Sequence, residues 1–296
     1  ATYGGNTDNK YTQQYGKQQG KYYVPQRASA GLDPWATPQA YDNAKDFFDT
    51  GITWSNSLNV AQMLEKSSYS ISLGNTHQDG IISSTGMDRY NVKVSADTKL
   101  TSNWSSGFTA NYITTSIDKA VTSGNGLLRT VYAAPPSYDL AGIPSHVDGN
   151  PYTQNSFRGS FDNAYWAMEN NKFTEDTNRF FGNVYTSYQT DFGTTNHKLN
   201  AKYMVGVDAY TTHYVDSYGY GSNTGGGRGQ IENYGWTNAT YNSLLTINYD
   251  WHINEDWGLN AVVGNEIIQS NRKKYYEYGT NYNFPGWNHI NNATTQ

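Results

Sequence analysis

The chain contains no cysteine, which excludes disulfide staples and cysteine-ligated metal centres. It has no run of 18 or more apolar residues, so no membrane-spanning helix is expected. Charge is scarce at 15% of residues, the net charge is −5, and Lys and Arg form no cluster. That balance argues against nucleic acid or anionic headgroups as partners. Apolar residues make up only 36% and the mean hydropathy is −0.77, which is lean for a soluble core. The first residues, Ala1-Thr2-Tyr3-Gly4-Gly5-Asn6, offer neither a basic nor an apolar stretch. The expectation is that a signal peptide has been removed or that the chain begins inside a longer protein.

Catalytic and metal-binding signatures are also missing. His77, His146, His197, His213, His252 and His289 are scattered, with no His-Glu-x-x-His and no ligand-spaced pair. No Gly-x-Ser-x-Gly elbow occurs. Gly225-Gly226-Gly227-Arg228-Gly229 lacks the Lys-Ser/Thr of a phosphate cradle and reads as a loop tip, with Arg228 available to a binding surface. The carboxylates Asp139, Asp148, Asp162, Glu169, Glu175 and Asp176 fall in one long connection and read as solvated or loop-bracing, not as a glycosidase pair. No enzyme activity, cofactor or metal is expected.

Aromatics, by contrast, reach 15%, with 27 Tyr and 8 Trp, and much of the chain alternates apolar and polar residues. A period of two sends one face of a sheet to an apolar medium and the other to water. The alternation predicts eight strands, at about 52–63, 67–76, 88–98, 103–114, 178–191, 197–210, 238–251 and 257–270. Tyr69, Ile71 and Leu73 carry it in the second, and Phe180, Val184 and Tyr188 in the fifth. The connections at 64–66, 99–102, 192–196 and 252–256 are short; those at 77–87, 115–177, 211–237 and 271–296 are longer. Alternately short and long connections, with segments long enough to cross a bilayer when tilted, predict an all-β, antiparallel transmembrane barrel with its long loops outside. Trp104, Phe192, Trp251 and Trp257 would form the girdle at the short turns, and Tyr90, Tyr112, Tyr210 and Tyr241 the girdle at the long loops.

Residues 1–51 read as an irregular extracellular region, holding the end of a preceding strand near Tyr22–Val24. Residues 52–270 read as barrel wall, and 271–296 as the start of a further loop. Both ends of the eight-strand set then lie outside, so the set reads as the central part of a larger barrel.

Specific residues carry a family resemblance. Asp33-Pro34-Trp35-Ala36-Thr37, Tyr41-Asp42-Asn43 and Asp46-Phe47-Phe48-Asp49-Thr50-Gly51 resemble the first-loop region of SusC/RagA-type TonB-dependent transporters. Tyr69 to Gly74, Asp79-Gly80-Ile81 and Asp88-Arg89-Tyr90 continue it, as do Ala133 to Leu140, Asn150-Pro151-Tyr152, Ala164 to Ala167, Asn170-Asn171 and Thr177 to Phe180. The resemblance implies a barrel of about 22 strands with an N-terminal plug. It also implies import of oligosaccharides or oligopeptides across the outer membrane and a SusD-like surface lipoprotein as lid. Drive from the TonB complex through the plug and a dimer of transporter–lipoprotein pairs are further implications. The plug and the TonB-box are not recognised in this chain.

The connection 115–177 is the leading candidate for ligand contact, since flat aromatic faces beside amides suit sugars and peptide backbones alike. Its candidate residues are Tyr138, Asp139, Asn150, Tyr152, Trp166, Asn170 and Asn171, with Arg228 from the next long loop. The competing reading is a soluble or surface-attached lectin-like or adhesin β-protein.

Overall fold

A computed structural model describes residues 14, 16, 18, 20–121 and 126–296. Its main feature is one antiparallel sheet of nine strands. The long strands are β3 (Thr53–Met63), β4 (Ser67–Asp79), β5 (Gly86–Lys99), β6 (Trp104–Lys119), β9 (Lys172–Thr190), β10 (His197–Tyr218), β11 (Gln230–His252) and β12 (Gly258–Tyr282). Each pairs with its neighbour in chain order, β6 with β9 across the long connection, and a short β13 (Ala293–Thr295) closes onto the tip of β12. The eight long strands coincide with the eight alternating segments. This is the architecture of an all-β barrel fragment. The outer edge of β3 is open, and β12 is paired on its outer side only at Thr280 and Tyr282.

Register explains the alternation. Val60, Ile71, Val94, Ala110, Gly182, Val207 and Tyr241 lie opposite one another across seven strands and share one face. The next row of that face holds Leu58, Leu73, Val92, Tyr112, Phe180 and Ala209. Many of these side chains are open to solvent, Val60 by 61% and Ile71 by 49%. The opposite face carries Ser70, Lys93, Asp97, Asn111, Arg179, Tyr185, Lys202 and Asp208. Among the described residues no helix is long and apolar enough to cross a membrane.

Four strands run well past the predicted ends on the side of the long connections. β9 starts at Lys172, β10 ends at Tyr218, β11 starts at Gln230 and β12 ends at Tyr282. The predicted loops 115–177, 211–237 and 271–296 therefore shrink to 120–171, 219–229 and 283–292. The reason is physical: beyond Ala209 the outward positions become Thr211, His213, Val215 and Ser217, so the apolar half of the alternation thins to one residue while pairing continues.

The larger buried core lies off the sheet, in the long connections gathered at one end, where Tyr22, Val24, Phe47, Leu127, Val131, Tyr138, Leu140, Ile143, Ala164, Trp166 and Ala167 pack together. A smaller one, Ile231, Tyr282 and Ala293, sits on the sheet at the ends of β11, β12 and β13. Short elements frame it: β1 (Tyr22–Tyr23) paired with β2 (Trp35–Ala36), α1 (Pro25–Ser29), α2 (Asn43–Phe47), α3 (Leu127–Ala133), β7 (His146–Val147) with β8 (Asn150–Gln154), and α4 (Ala164–Asn170). The predicted strand end near Tyr22–Val24 is thus a two-residue pairing inside this cluster. Of the region 1–51, residues 1–13, 15, 17 and 19 lie outside the described residues.

Candidate functional site

Asparagine side chains substitute for regular structure in the loop cluster. Asn163 caps α4 by accepting from the Tyr165 and Trp166 N–H groups, and its amide donates to the Asn155 carbonyl at 2.9 Å. Asn43 donates to the Pro135 carbonyl and accepts from Leu140 N–H at 3.0 Å, joining α2 to the segment after α3. Each bond satisfies a backbone group that an irregular buried segment would otherwise strand.

Most of the predicted ligand contacts serve this framework. Tyr138 is buried against Phe157, ring centroids 5.4 Å apart. Trp166 is 0% exposed, and its indole N–H donates to the Pro151 carbonyl at 2.8 Å. Asp139 accepts from Gly142 N–H at 2.7 Å, and Asn150 from Tyr152 N–H at 3.0 Å, both local turns. Tyr152 is half-buried, and a Cβ on Gly221 or Gly286 would collide with it. The Asn170 amide donates to the Trp166 carbonyl at 3.0 Å, and Asn171 accepts from Gly219 N–H at 2.8 Å. Arg228 is exposed, with one guanidinium nitrogen 3.1 Å from the Tyr282 carbonyl. The structure therefore brings Tyr152, Trp166, Asn170, Asn171 and Arg228 to the seam between three loops, with Tyr138 inside the core beneath.

Burial is the first cause that raises the pKa values of Tyr22, Tyr41 and Tyr165, with the Asp139 charge adding to it in all three. These phenols stay neutral well into alkaline solution.

Directly below the cluster, the strand extensions build an inward wall that the pattern reading missed. One row across it is Lys119, Phe173, Asp216, Glu232 and Tyr278. Two residues down comes Ile117, Glu175, Tyr214, Tyr234 and Tyr276. Trp236 and Lys274 lie opposite each other in the next row, and Arg179, Tyr210 and Arg272 belong to the one after. Tyr214 and Tyr234 stack at 4.8 Å with rings 6° from parallel. Lys119 places its ammonium 4.5 Å from the Tyr214 ring centre and 3.5 Å from the Glu175 carboxylate. Arg272 covers Trp236 at 4.9 Å, and the Tyr234 hydroxyl donates to Asp216 at 3.1 Å. Arg179 makes two bonds to Asp208, at 2.8 and 2.6 Å. The signal that could have found this wall was in the sequence, as Tyr210, Thr212, Tyr214, Asp216 and Tyr218 alternate with a set in which only Val215 is apolar. A cavity of about 440 Å³ joins the wall to the cluster, lined by Lys119, Phe173, Met168 and the 82–85 turn. Among the described residues no group of His, Asp and Glu is arranged to hold a metal ion.

A polar wall rich in paired charge and aromatics, reached beneath a loop cluster, can hold a hydrophilic ligand without chemistry. No protein-family model matches the chain, and no curated protein does. Solved structures do match. The chain is similar in fold to a chain of the RagAB peptide importer. In its "closed-closed" state the TM-score is 0.70 at 16% identity, over 87% of this chain and 29% of that one. In the "open-open" state it is 0.70 at 15% identity, over 88% and 29%. A further structure of the RagAB peptide transporter matches at 0.67 and 16% identity, over 87% and 28%. At this identity the likeness is one of fold, and the chain spans under a third of each of those chains.

Proposed function

We propose that this chain is part of the barrel wall of an outer-membrane, TonB-dependent importer of SusC/RagA type that takes up hydrophilic oligomers, oligosaccharides or oligopeptides. The observation that carries the reading is the pair of faces. Apolar side chains such as Val60, Ile71, Val92 and Val184 stand exposed on one face, while Arg179, Asp208, Tyr185 and Asp97 interact on the other. A soluble protein would bury the first set, and a lipid-facing wall leaves it open. The fold likeness to the RagAB peptide importer supports the same reading.

In this reading the loop cluster faces outward and meets a SusD-like surface lipoprotein, which closes over the vestibule. Ligand is captured between lid and inward wall. Energy arrives from the TonB complex through the plug expected of the family, so no residue here performs the coupling. Outer-membrane lipid surrounds the apolar band, nucleic acid has no role, and two transporter–lipoprotein pairs form a dimer. The alternative, a lectin-like or adhesin β-protein free in water, leaves the exposed apolar rows without a purpose.

The test is extraction of the native full-length protein from outer membranes. A detergent-requiring, heat-modifiable species several times larger than this chain's 33.1 kDa, co-purifying with a lipoprotein, is the expected result. A detergent-free soluble species of about that mass would overturn it.

A further inference from the structure

Lysine and arginine are spread along the sequence, but strand register gathers five of them in a belt on the inward face. Arg89 and Lys274 share one row across the sheet, Arg179 and Arg272 the next, and Lys93 the one below. Among the described residues Asp208 is the only carboxylate in those rows, and Arg179 already binds it. Resting on the import reading, in which this face lines the interior, we propose that the belt binds an acidic oligosaccharide through its carboxylate or sulfate groups.

The charge is unmet within the fold. Arg89, Lys93 and Lys274 are exposed and, among the described residues, have no carboxylate partner. From Arg89 to Lys93 the belt runs about 13 Å along β5, and from β5 to β12 it runs about 24 Å across the sheet. That is room for several anionic groups of one oligomer. On the outward face the same rows pass from Leu73, Val92 and Phe180 to Asn75 and Asn178, so the belt stands at the outer end of the apolar band. A ligand entering past the loops meets it there. Cations of one sign lining a cleft focus potential and draw anions, and the arginine fork matches an oxyanion with two hydrogen bonds.

The groups between the cations favour a sugar as the carrier of that negative charge. Asn91, Asn111, Asn238, Thr177 and Ser270 offer amides and hydroxyls, which exchange hydrogen bonds with sugar hydroxyls in both directions. Just above the belt, Tyr276 is 62% and Tyr278 39% exposed, rings on which the C–H face of a sugar can lie. A peptide read through its backbone needs an open strand edge, and β5 to β11 are paired on both flanks. Apolar sockets for peptide side chains are few: Arg179 covers Phe181, Arg272 covers Trp236, and Ile113 is the one aliphatic side chain in the three rows.

The test uses the full-length importer in detergent with four probes: hexagalacturonate, a sulfated chondroitin hexasaccharide, maltohexaose and hexaglutamate. Binding is measured by calorimetry at low salt and again at about 0.5 M NaCl, where the screening length falls to roughly 4 Å. At least one acidic sugar is expected to bind about tenfold or more tighter than maltohexaose, and to lose that margin at high salt. The triple variant R89Q/K93Q/K274Q breaks no ion pair among the described residues. It is expected to remove the margin while maltohexaose binding, and the heat-modifiability that reports a folded barrel, stay unchanged. K273Q, on the outward face opposite Thr237, is expected to leave every affinity as it was. The proposal is overturned if neither acidic sugar outbinds maltohexaose, which is also the result if acidic side chains from elsewhere in the protein fill the belt. It is equally overturned if the triple variant keeps the margin, or if hexaglutamate binds as tightly as the better acidic sugar. Any of these results from a detergent-requiring barrel leaves the import reading standing. A water-soluble, barrel-free protein would remove both.

Discussion

Asp162 is the strongest single test of how the loop cluster is held. Its carboxylate is 8% exposed and accepts from the Gln154 amide at 2.7 Å, the Ser222 hydroxyl at 2.5 Å, and the Asn223 backbone and side-chain amides at 2.8 and 2.9 Å. Three of the four donors come from the loop 219–229, so this one side chain pins that loop to the segment before α4. A hydrogen bond to a charged group contributes about 1.5–3 kcal/mol, and the four are not additive because the carboxylate's own desolvation opposes them. Asp162→Ala should therefore cost about 3 kcal/mol of loop docking, a factor of roughly 150 in the opening equilibrium. Asp162→Asn, which keeps one acceptor oxygen and loses the charge, should cost about half of that. Hydrogen exchange of residues 221–227 reads the equilibrium directly, since the Gly221, Asn223 and Gly227 amides are all bonded within or across this seam. Exchange there should rise by about two orders of magnitude in Asp162→Ala while β10 and β11 keep their protection. Exchange unchanged within twofold would refute the assignment of Asp162 as the pin.

Other perturbations separate core, band and titration. Trp166→Ala removes a fully buried ring and should cost about 3–5 kcal/mol, read as early proteolysis of 120–171 with the barrel's own thermal transition retained. Val184→Arg puts a charge on the outward face and should cost about 2–4 kcal/mol of membrane assembly if near the bilayer midplane, read as lost heat-modifiable product. Tyr185→Arg, one position along, points to the wet face and should assemble. Alkaline titration should loosen the loop cluster before the sheet. The raised pKa values of Tyr22, Tyr41 and Tyr165 mean that their contribution is complete below about 10 and lost as pH climbs through the raised values, with hydrogen exchange of residues 22–48 and 160–170 as readout.

The strands were legible wherever lipid-type surface accompanied pairing. Tyr69, Ile71 and Leu73 announce β4 because their outward positions are apolar and their inward ones are Ser70 and Ser72. The same logic hid the upper halves of β9 to β12. Once Thr211, His213 and Ser217 stand outside with only Val215 apolar among them, period two no longer stands out, although hydrogen bonding continues to Tyr218. The aromatics of 120–171 were ambiguous for a different reason: composition cannot say whether Tyr138 and Trp166 face a ligand or one another's neighbours. In the fold they fill the larger core, which lies off the sheet. Asp42 and Asn163, each the N-cap of a short helix, were the local signs of structure within those connections.

Which face of the sheet meets lipid is the central claim, and the absence of native cysteine makes it directly measurable. Single cysteines at successive positions from 180 to 187 of β9, spin-labelled in the reconstituted full-length protein, would report collision with dissolved oxygen, which concentrates in lipid, and with a water-soluble nickel chelate. The account predicts strict alternation, with oxygen-accessible labels at Phe180, Gly182, Val184 and Thr186 and chelate-accessible or occluded labels at Phe181, Asn183, Tyr185 and Ser187. Chelate access at both sets, with no period of two, would contradict it.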